Sequence, residues 1–388
     1  MLAAGPDAGR EPVTEAKLMT TRIETRGLLF ERPGEPLRDV ALLLDPPGPG
    51  EVLVRLLASG ICHSDLHTLD GEWDAADPLV LGHEGAGIVE AVGPGVASPA
   101  VGDLVVLSWL APCHLCVACQ RGQPWLCSRT RALEHRMPDG STRLHDAGGR
   151  DIFPYLGIGT FLERTVVPAS AAITVPPETP AASAALIGCC VSTGIGSVTR
   201  VAAVPQGASV VVIGLGGVGL SLIMGAVLAG ADRIIAVDRV GAKLERARSV
   251  GATDTVVATD ADATDEAVLG LTDGGADFVF EAIGLVPTIE QSLRLLRPGG
   301  TAVIVGMAPS GQRASFDAFG LADRSLRVLG SNYGATIAAS DFPRYARLAN
   351  AGRLPIERLV DAVVGPDEVN DALSAVRRGE AVRRVLVR

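Results

Sequence analysis

From residue 26 to about residue 110, short apolar runs alternate with turn residues. Residues 52–57, 87–92 and 104–107 are rich in Val, Leu and Ile. Pro46-Pro47-Gly48-Pro49-Gly50 and Gly93-Pro94-Gly95 punctuate them. Runs of this length between such turns predict a β-rich barrel or open sheet. After about residue 190 the pattern changes. Residues 209–213 predict a strand, 217–229 a helix, 233–237 a strand and 242–250 a helix. Residues 277–280 predict a strand and 287–296 a helix stopped by Pro298-Gly299-Gly300, with strands at 301–305 and 326–329. Strands alternating with helices imply a doubly wound parallel sheet, so the fold class is α/β with two domains. Two more helices, 341–351 and 366–378, and a terminal strand return toward the first half.

Composition narrows the function classes. The chain has 388 residues, 47% hydrophobic, with net charge −10. An acidic chain lacks the clustered Lys and Arg that a nucleic-acid partner requires. Residues 201–231 carry no charge and exceed the roughly 20 residues of a membrane span. Gly214, Gly216, Gly217 and Gly219 interrupt that stretch where a strand would turn into a buried helix, which favours a core over a membrane. Residues 1–25 read as a mobile tail without the apolar segment of a secretory signal, and Met19 is a candidate natural start. The expected location is the cytoplasm.

Seven cysteines without a signal segment argue against a disulfide framework. Cys113, Cys116, Cys119 and Cys127 follow C-x2-C-x2-C-x7-C, a spacing that closes one tetrahedron about zinc. An iron–sulfur cluster also opens with C-x2-C-x2-C, but continues with a three-residue gap and then Cys-Pro. Here the gap is longer and Ser128 follows, so structural zinc is preferred.

The run from Val210 to Gly219 is a strand entering G-x-G-x-x-G. Gly214 suits the tight turn, Gly216 the approach of a pyrophosphate, and Gly219 close helix–strand packing. Gly217 and Val218 open the helix, whose free N–H groups favour phosphate. Asp238, at the end of the next strand, is placed for ribose hydroxyls and favours NAD; the adjacent Arg239 leaves NADP open.

Gly82-His83-Glu84-Gly85-Ala86-Gly87, with Gly93 and Val96, resembles the signature of the zinc-containing alcohol dehydrogenases of the medium-chain dehydrogenase/reductase superfamily. The segments Gly60 to His67 and Leu186 to Gly194 resemble that family's first and last zinc-ligand segments. The resemblance implies a β-rich GroES-like catalytic domain (residues 26–190 and 334–388, with the zinc lobe at 109–130) and a Rossmann cofactor domain (191–333). It implies a catalytic zinc on Cys62, His83 and Cys189, with Glu84 as a transient ligand and Asp65 orienting His83. Two zinc ions per chain follow, one catalytic and one structural. Cys190, where the family usually has Gly, reads as a non-ligand with its sulfur turned away. The implied chemistry is a Lewis-acid metal that favours loss of the alcohol proton while hydride passes to the nicotinamide. The proton path is Ser64, a ribose hydroxyl and then His67. His63 stands where Arg is commoner at the pyrophosphate, which implies a weaker and more pH-sensitive grip. Arg383 matches a second phosphate contact. Lys243 and Thr193 match ribose and nicotinamide contacts, and Val305 and Ser331 fall where backbone groups hold the carboxamide.

Trp73, Trp109, Tyr155 and Leu156 fall at the family's substrate-pocket positions and suit a bulky or aromatic alcohol. The stretch 109–127 is also similar to actinobacterial thiol-dependent formaldehyde dehydrogenases, a second enzymatic reading. A non-enzymatic NAD- and zinc-binding protein is a third, disfavoured by the intact ligand and relay set. Relatives with a long segment like 128–168 are usually dimers, paired through the strand equivalent to 301–305; a tetramer remains open.

Overall fold

The computed structural model describes residues 21–388 except Asp74, Ala76 and Asp77. Most of the segment read as a mobile tail, with Met19, lies outside the described residues. Its last part does not behave as a tail. Ile23–Phe30 is a strand paired antiparallel with Arg38–Leu44, because Ile23 and Thr25 are buried side chains that need a partner strand.

The N-terminal half is β-rich. Ile23–Phe30, Arg38–Leu44, Leu144–His145, Asp151–Pro154 and Leu79–Val80 close a small barrel. A seven-stranded sheet lies beside it, in the order Ala172–Thr174, Leu104–Leu107, Glu84–Val92, Glu51–Ile61, Arg384–Leu386, Ala362–Val364, with Arg164–Pro168 also pairing on Glu51–Ile61. The last two strands come from the far end of the chain. Arg384, Val385 and Leu386 pair antiparallel with Ile61, Gly60 and Ser59.

The second half is a six-stranded parallel sheet in the order Asp254–Val257, Arg233–Asp238, Ser209–Ile213, Ala276–Glu281, Leu296–Ile304, Arg327–Gly330. Its central strand shows why the sheet is doubly covered. Val210 and Val212 join one apolar cluster; Val211 and Ile213 join another. Both faces are therefore dry, and each fully buried Val contributes about 2 kcal/mol. The strand order reverses at Ser209–Ile213, which places a crevice at its carboxyl end.

The uncharged stretch 201–231 resolves as expected into the strand Ser209–Ile213, a glycine turn and the helix Gly217–Ala229. Another helix, Ala181–Val201, is long and apolar enough to cross a membrane, but 78% of its most apolar window is buried inside the protein. Its first part packs on the strands Glu51–Ile61 and Glu84–Val92, and its second on Gly217–Ala229. It bridges the two halves. Pro298-Gly299-Gly300 does not separate a helix from a new strand. The strand begins at Leu296, which pairs with Ala276; the register then shifts and resumes with Thr301 opposite Phe278. Residues 301–304 consequently have neighbours on both sides, and the edge strands among the described residues are Arg327–Gly330 and Asp254–Val257. The edge expected at 301–305 is thereby corrected.

Candidate functional site

Cys62 ends the long strand and caps the helix His63–Leu69. His83 and Glu84 enter the neighbouring strand Glu84–Val92. One buried carboxylate joins the two segments. Asp65 Oδ2 accepts from the Cys62 amide at 2.9 Å, and Oδ1 accepts from the Gly82 amide at 3.1 Å. Oδ1 also lies 3.4 Å from His83 Nδ1, which leaves Nε2 as the ligand nitrogen. Donor atoms of Cys62, His83 and Glu84 lie within 4.8 Å of one another, and all three residues are buried. Cys189 lies outside that 4.8 Å set and meets it through Cys62. Its hydrogen bond to the Cys62 sulfur holds Cys62 well below the usual thiol range, while Cys189 is pushed up. Burial works against a charged His83, but Asp65 outweighs it and raises the imidazole. Two sulfurs and an imidazole contending for charge in a dry site fit a divalent cation.

Glu84 is not aimed only at that cluster. Its Oε1 accepts from Arg383 Nη2 at 3.0 Å and from the Cys190 amide at 3.1 Å. Its Oε2 is buried without a partner, so one oxygen is free to face the metal group. Burial raises the Glu84 carboxyl to about 7, although Arg383 opposes this. Cys190 is fully buried; its sulfur lies 3.6 Å from Leu186 O and also meets the Arg383 guanidinium, while its backbone amide bonds to Glu84.

Arg383 links this cluster to the glycine turn. Nη1 donates to Ile61 O at 3.0 Å, and Nε is buried with no partner. A Cβ on Gly217 would come within 2.6 Å of that Nε. The orphan N–H therefore sits against the helix N-terminus, where a phosphate would satisfy it. A Cβ on Gly219 would lie 1.8 Å from Gly214 O, so no larger residue fits there. A Cβ on Gly216 would meet nothing, leaving that side of the turn open. Asp238 Oδ2 accepts from the Leu215 amide at 2.8 Å and Oδ1 from the Val240 amide at 2.9 Å, which fixes the carboxylate beside the turn. Arg239 and Lys243 follow it with no acidic partner among the described residues. Thr193 Oγ1 lies 4.0 Å from Cys189 Sγ. The amides of Val305 and Ser331 are already committed, to Glu281 O and Ile304 O, both at 2.9 Å.

Cys113, Cys116, Cys119 and Cys127 present their sulfurs within 4.8 Å of one another. Backbone amides point at them: Cys113 N to Cys127 Sγ and Cys116 N to Cys113 Sγ, both at 3.3 Å. Such bonds hold Cys116 down to about 5, while desolvation and neighbouring thiols push Cys119 up to about 12. Four sulfurs so close need a cation to coexist as thiolates, and the set leaves no open position.

The four pocket candidates fall in three places. Trp109 and Leu156 line a shallow cleft together with Arg131 and Arg136. Tyr155 stands behind it, edge-on to His83 at 5.7 Å, and donates to Ser64 O at 3.2 Å. Trp73 stacks on His67 at 4.5 Å instead. His67 Nδ1 is bonded to Glu72, and His63 meets the His67 ring edge-on at 5.1 Å. Three contributors carry no local signal in the sequence. Glu72 reaches His67 through a turn, His135 packs on Tyr155 at 5.0 Å, and Tyr333 tilts on Trp109 at 4.6 Å.

Residues 48–177 match the alcohol dehydrogenase GroES-like domain, and residues 217–351 match the zinc-binding dehydrogenase family. An S-(hydroxymethyl)glutathione dehydrogenase of Escherichia coli O1:K1 is 38% identical over 94% of this chain and 100% of that protein. An alcohol dehydrogenase zinc-binding domain protein from Burkholderia ambifaria superposes with a TM-score of 0.90, at 33% identity, covering 95% of this chain and 99% of that one. Benzyl alcohol dehydrogenase from Acinetobacter calcoaceticus superposes with a TM-score of 0.88, at 31% identity, covering 94% and 99%. A cysteine–histidine–glutamate cluster, a four-cysteine lobe and a glycine turn in one chain agree with these matches, and the protein belongs to the zinc-binding alcohol dehydrogenases of the medium-chain dehydrogenase/reductase superfamily.

Proposed function

We propose that this protein is a cytoplasmic enzyme that reversibly oxidises a bulky or aromatic primary or secondary alcohol to its aldehyde or ketone with NAD. The observation that carries the reading is the Arg383 bridge, which sets the buried metal-ligand cluster directly against the glycine turn. Cys62, His83 and Cys189 would hold zinc, which would supply a Lewis acid at the substrate oxygen, and the glycine turn would hold NAD, which would supply the hydride acceptor. The remaining work belongs to the chain. Asp65 keeps His83 in one tautomer. Arg383, neutralised in part by Glu84, offers its free N–H to the cofactor phosphates, with His63 beside them. Ser64 takes the proton at its hydroxyl. His67, with Nδ1 held by Glu72, passes the proton to solvent through Nε2. Asp238 and Lys243 hold the ribose, Thr193 the nicotinamide, and Val305 and Ser331 the carboxamide through carbonyl oxygens. Trp109, Tyr155 and Leu156 exclude water from the reacting carbon.

The S-(hydroxymethyl)glutathione dehydrogenase relatives favour a second reading, oxidation of a formaldehyde–thiol adduct. NAD reduction with benzyl alcohol, geraniol and formaldehyde, each with and without glutathione or mycothiol, separates the two. Turnover of benzyl alcohol without thiol supports the first. Turnover confined to formaldehyde plus thiol replaces it with the second, and no turnover at all returns the protein to a binding role.

We further infer a homodimer joined through the edge strand Arg327–Gly330. Among the described residues that strand has no partner on one side, and, unlike the other edge strand Asp254–Val257, it follows a helix, Ala318–Asp323, that buries none of its residues.

A further inference from the structure

The bridging helix Ala181–Val201 is widened over Ile187–Val191, the stretch that carries Cys189 and Cys190. Such widened turns disturb the ladder of backbone bonds and recur at functional sites. Here the disturbance is visible. The Cys190 amide leaves the helix and bonds to Glu84. Ser192 donates to Ile187 O, and Ser197 donates to Thr193 O, each at 2.6 Å. These two donors are local. The third is not: Gly188 O, one residue before Cys189, accepts from the Tyr333 hydroxyl at 2.6 Å, from a residue 145 positions away.

Tyr333 reaches that carbonyl from an unusual stretch of backbone. Tyr333, Gly334 and Ala335 have φ of +55°, +61° and +51° in succession. A left-handed conformation at a bulky residue is costly and persists only where the surroundings impose it. The stretch lies just after the edge strand, where the chain leaves the parallel sheet. It is pressed against the bridging helix: a Cβ on Gly334 would lie 2.5 Å from Thr193 O and 2.6 Å from Ser192 O. The Tyr333 phenol is buried, 3.3 Å from Ser108 Oγ, and its ring faces Trp109.

We propose that Tyr333 is a positioning residue for Cys189. Its hydroxyl clamps the widened turn at Gly188 so that the next sulfur faces Cys62 and His83, and its ring sets the cleft wall at Trp109. The proposal rests on Cys189 being a ligand of the catalytic metal.

Tyr333→Phe keeps the ring and removes only the clamp. With cobalt placed at the catalytic site, the thiolate charge-transfer and d–d bands are expected to shift, and release of the ion to a chelator to quicken on the order of tenfold. In the metal-free protein, alkylation of Cys189 is expected to quicken as well. Unchanged bands and an unchanged release rate, with only a lower Tm, would reduce Tyr333 to a packing residue and overturn the proposal. Cys189→Ser is the control. If it leaves the cobalt bands unaltered, Cys189 is not a ligand and the underlying assignment fails, whatever Tyr333→Phe does. If Tyr333→Phe yields no folded protein, Gly334→Ala displaces the same stretch from outside the phenol. Its cobalt bands are expected to shift in the same sense, and bands identical to the parent overturn the proposal.

Discussion

Asp65 satisfies three donors with two oxygens; two of those donors belong to Cys62 and His83, and the third, the Gly82 amide, flanks His83. Asp65→Asn replaces one acceptor by a donor facing an N–H. Affinity for the catalytic metal is expected to fall about 10- to 100-fold, measured by chelator competition, with the four-cysteine site unaffected. Desolvation of the ring and its neighbour His67 hold His63 below the ordinary imidazole value, although the residue as a whole is exposed. His63→Arg is expected to lower the NADH dissociation constant, by roughly tenfold for a charge-assisted contact. The test is a fluorescence titration at two pH values, in which an unchanged constant removes His63 from the phosphate site. His135 offers a stability test. Burial depresses it from 6.5 to about 4, and its Nδ1 accepts the Leu156 amide at 3.1 Å. The folded state excludes a proton that the unfolded chain binds. Its contribution is therefore whole above pH 6.5 and is lost as pH falls toward 4, by about 3 kcal/mol at most. His135→Asn keeps an acceptor and tolerates the positive φ. It should flatten the fall of Tm between pH 6.5 and 4. Individual residues were legible in the sequence to different degrees. The lobe cysteines declare themselves by spacing. Cys62, His83 and Cys189 are far apart and become a set only through the family pattern around them. Tyr333 and Glu72 stayed hidden because each acts through a contact that no local pattern records.

Elements with a period were legible; those without one were not. The strand Ser209–Ile213 and the helix Gly217–Ala229 match the apolar pattern residue for residue. The bridging helix Ala181–Val201 is apolar on every side, so no 3.6-residue stripe marks it, although it presents a metal ligand. Pro298-Gly299-Gly300 looked like a terminator because its role as a bulge depends on the partner strand at Ala276. The zinc lobe is the element whose order depends most on its ion. Between Val117–Gln120 and the short turn Pro124–Leu126 it buries no apolar side chain. Cys127→Ser is expected to cost one zinc equivalent per chain and to open residues 112–130 to protease, while the spectrum of cobalt at the catalytic site stays the same. Retention of both ions would show that three thiolates suffice.

Seen whole, the parallel sheet ends in two edge strands, Asp254–Val257 and Arg327–Gly330, and the second lies beside an exposed helix. Val328 on the edge strand is 46% exposed, and Phe319 on the preceding helix is 77% exposed. Unpaired edges with apolar flanks invite a second copy, and a two-fold pairing closes without leaving a new edge. Val328→Lys, a charge on that edge, is expected to halve the mass seen by sedimentation while leaving the zinc content intact. A particle of unchanged mass would move the interface elsewhere. The pattern of the chain could announce a parallel sheet but not which strand ends it, since that depends on the order of crossovers.

The pairing of Arg384–Leu386 with Ser59–Ile61 carries a consequence for how the protein is made. Cys62 and His83 leave the ribosome long before the arginine that holds Glu84 and the strand that flanks Cys62. At about 5–20 residues per second, the seven-stranded sheet waits tens of seconds with an open seam. During that interval the parallel sheet can already fold and dock. Metal captured at Cys62 and His83 before the seam closes would meet neither Cys189 in its final place nor the buried charge of Arg383. The order of synthesis therefore favours loading the catalytic ion late, onto a chain in which Arg384–Leu386 has already met Ser59–Ile61.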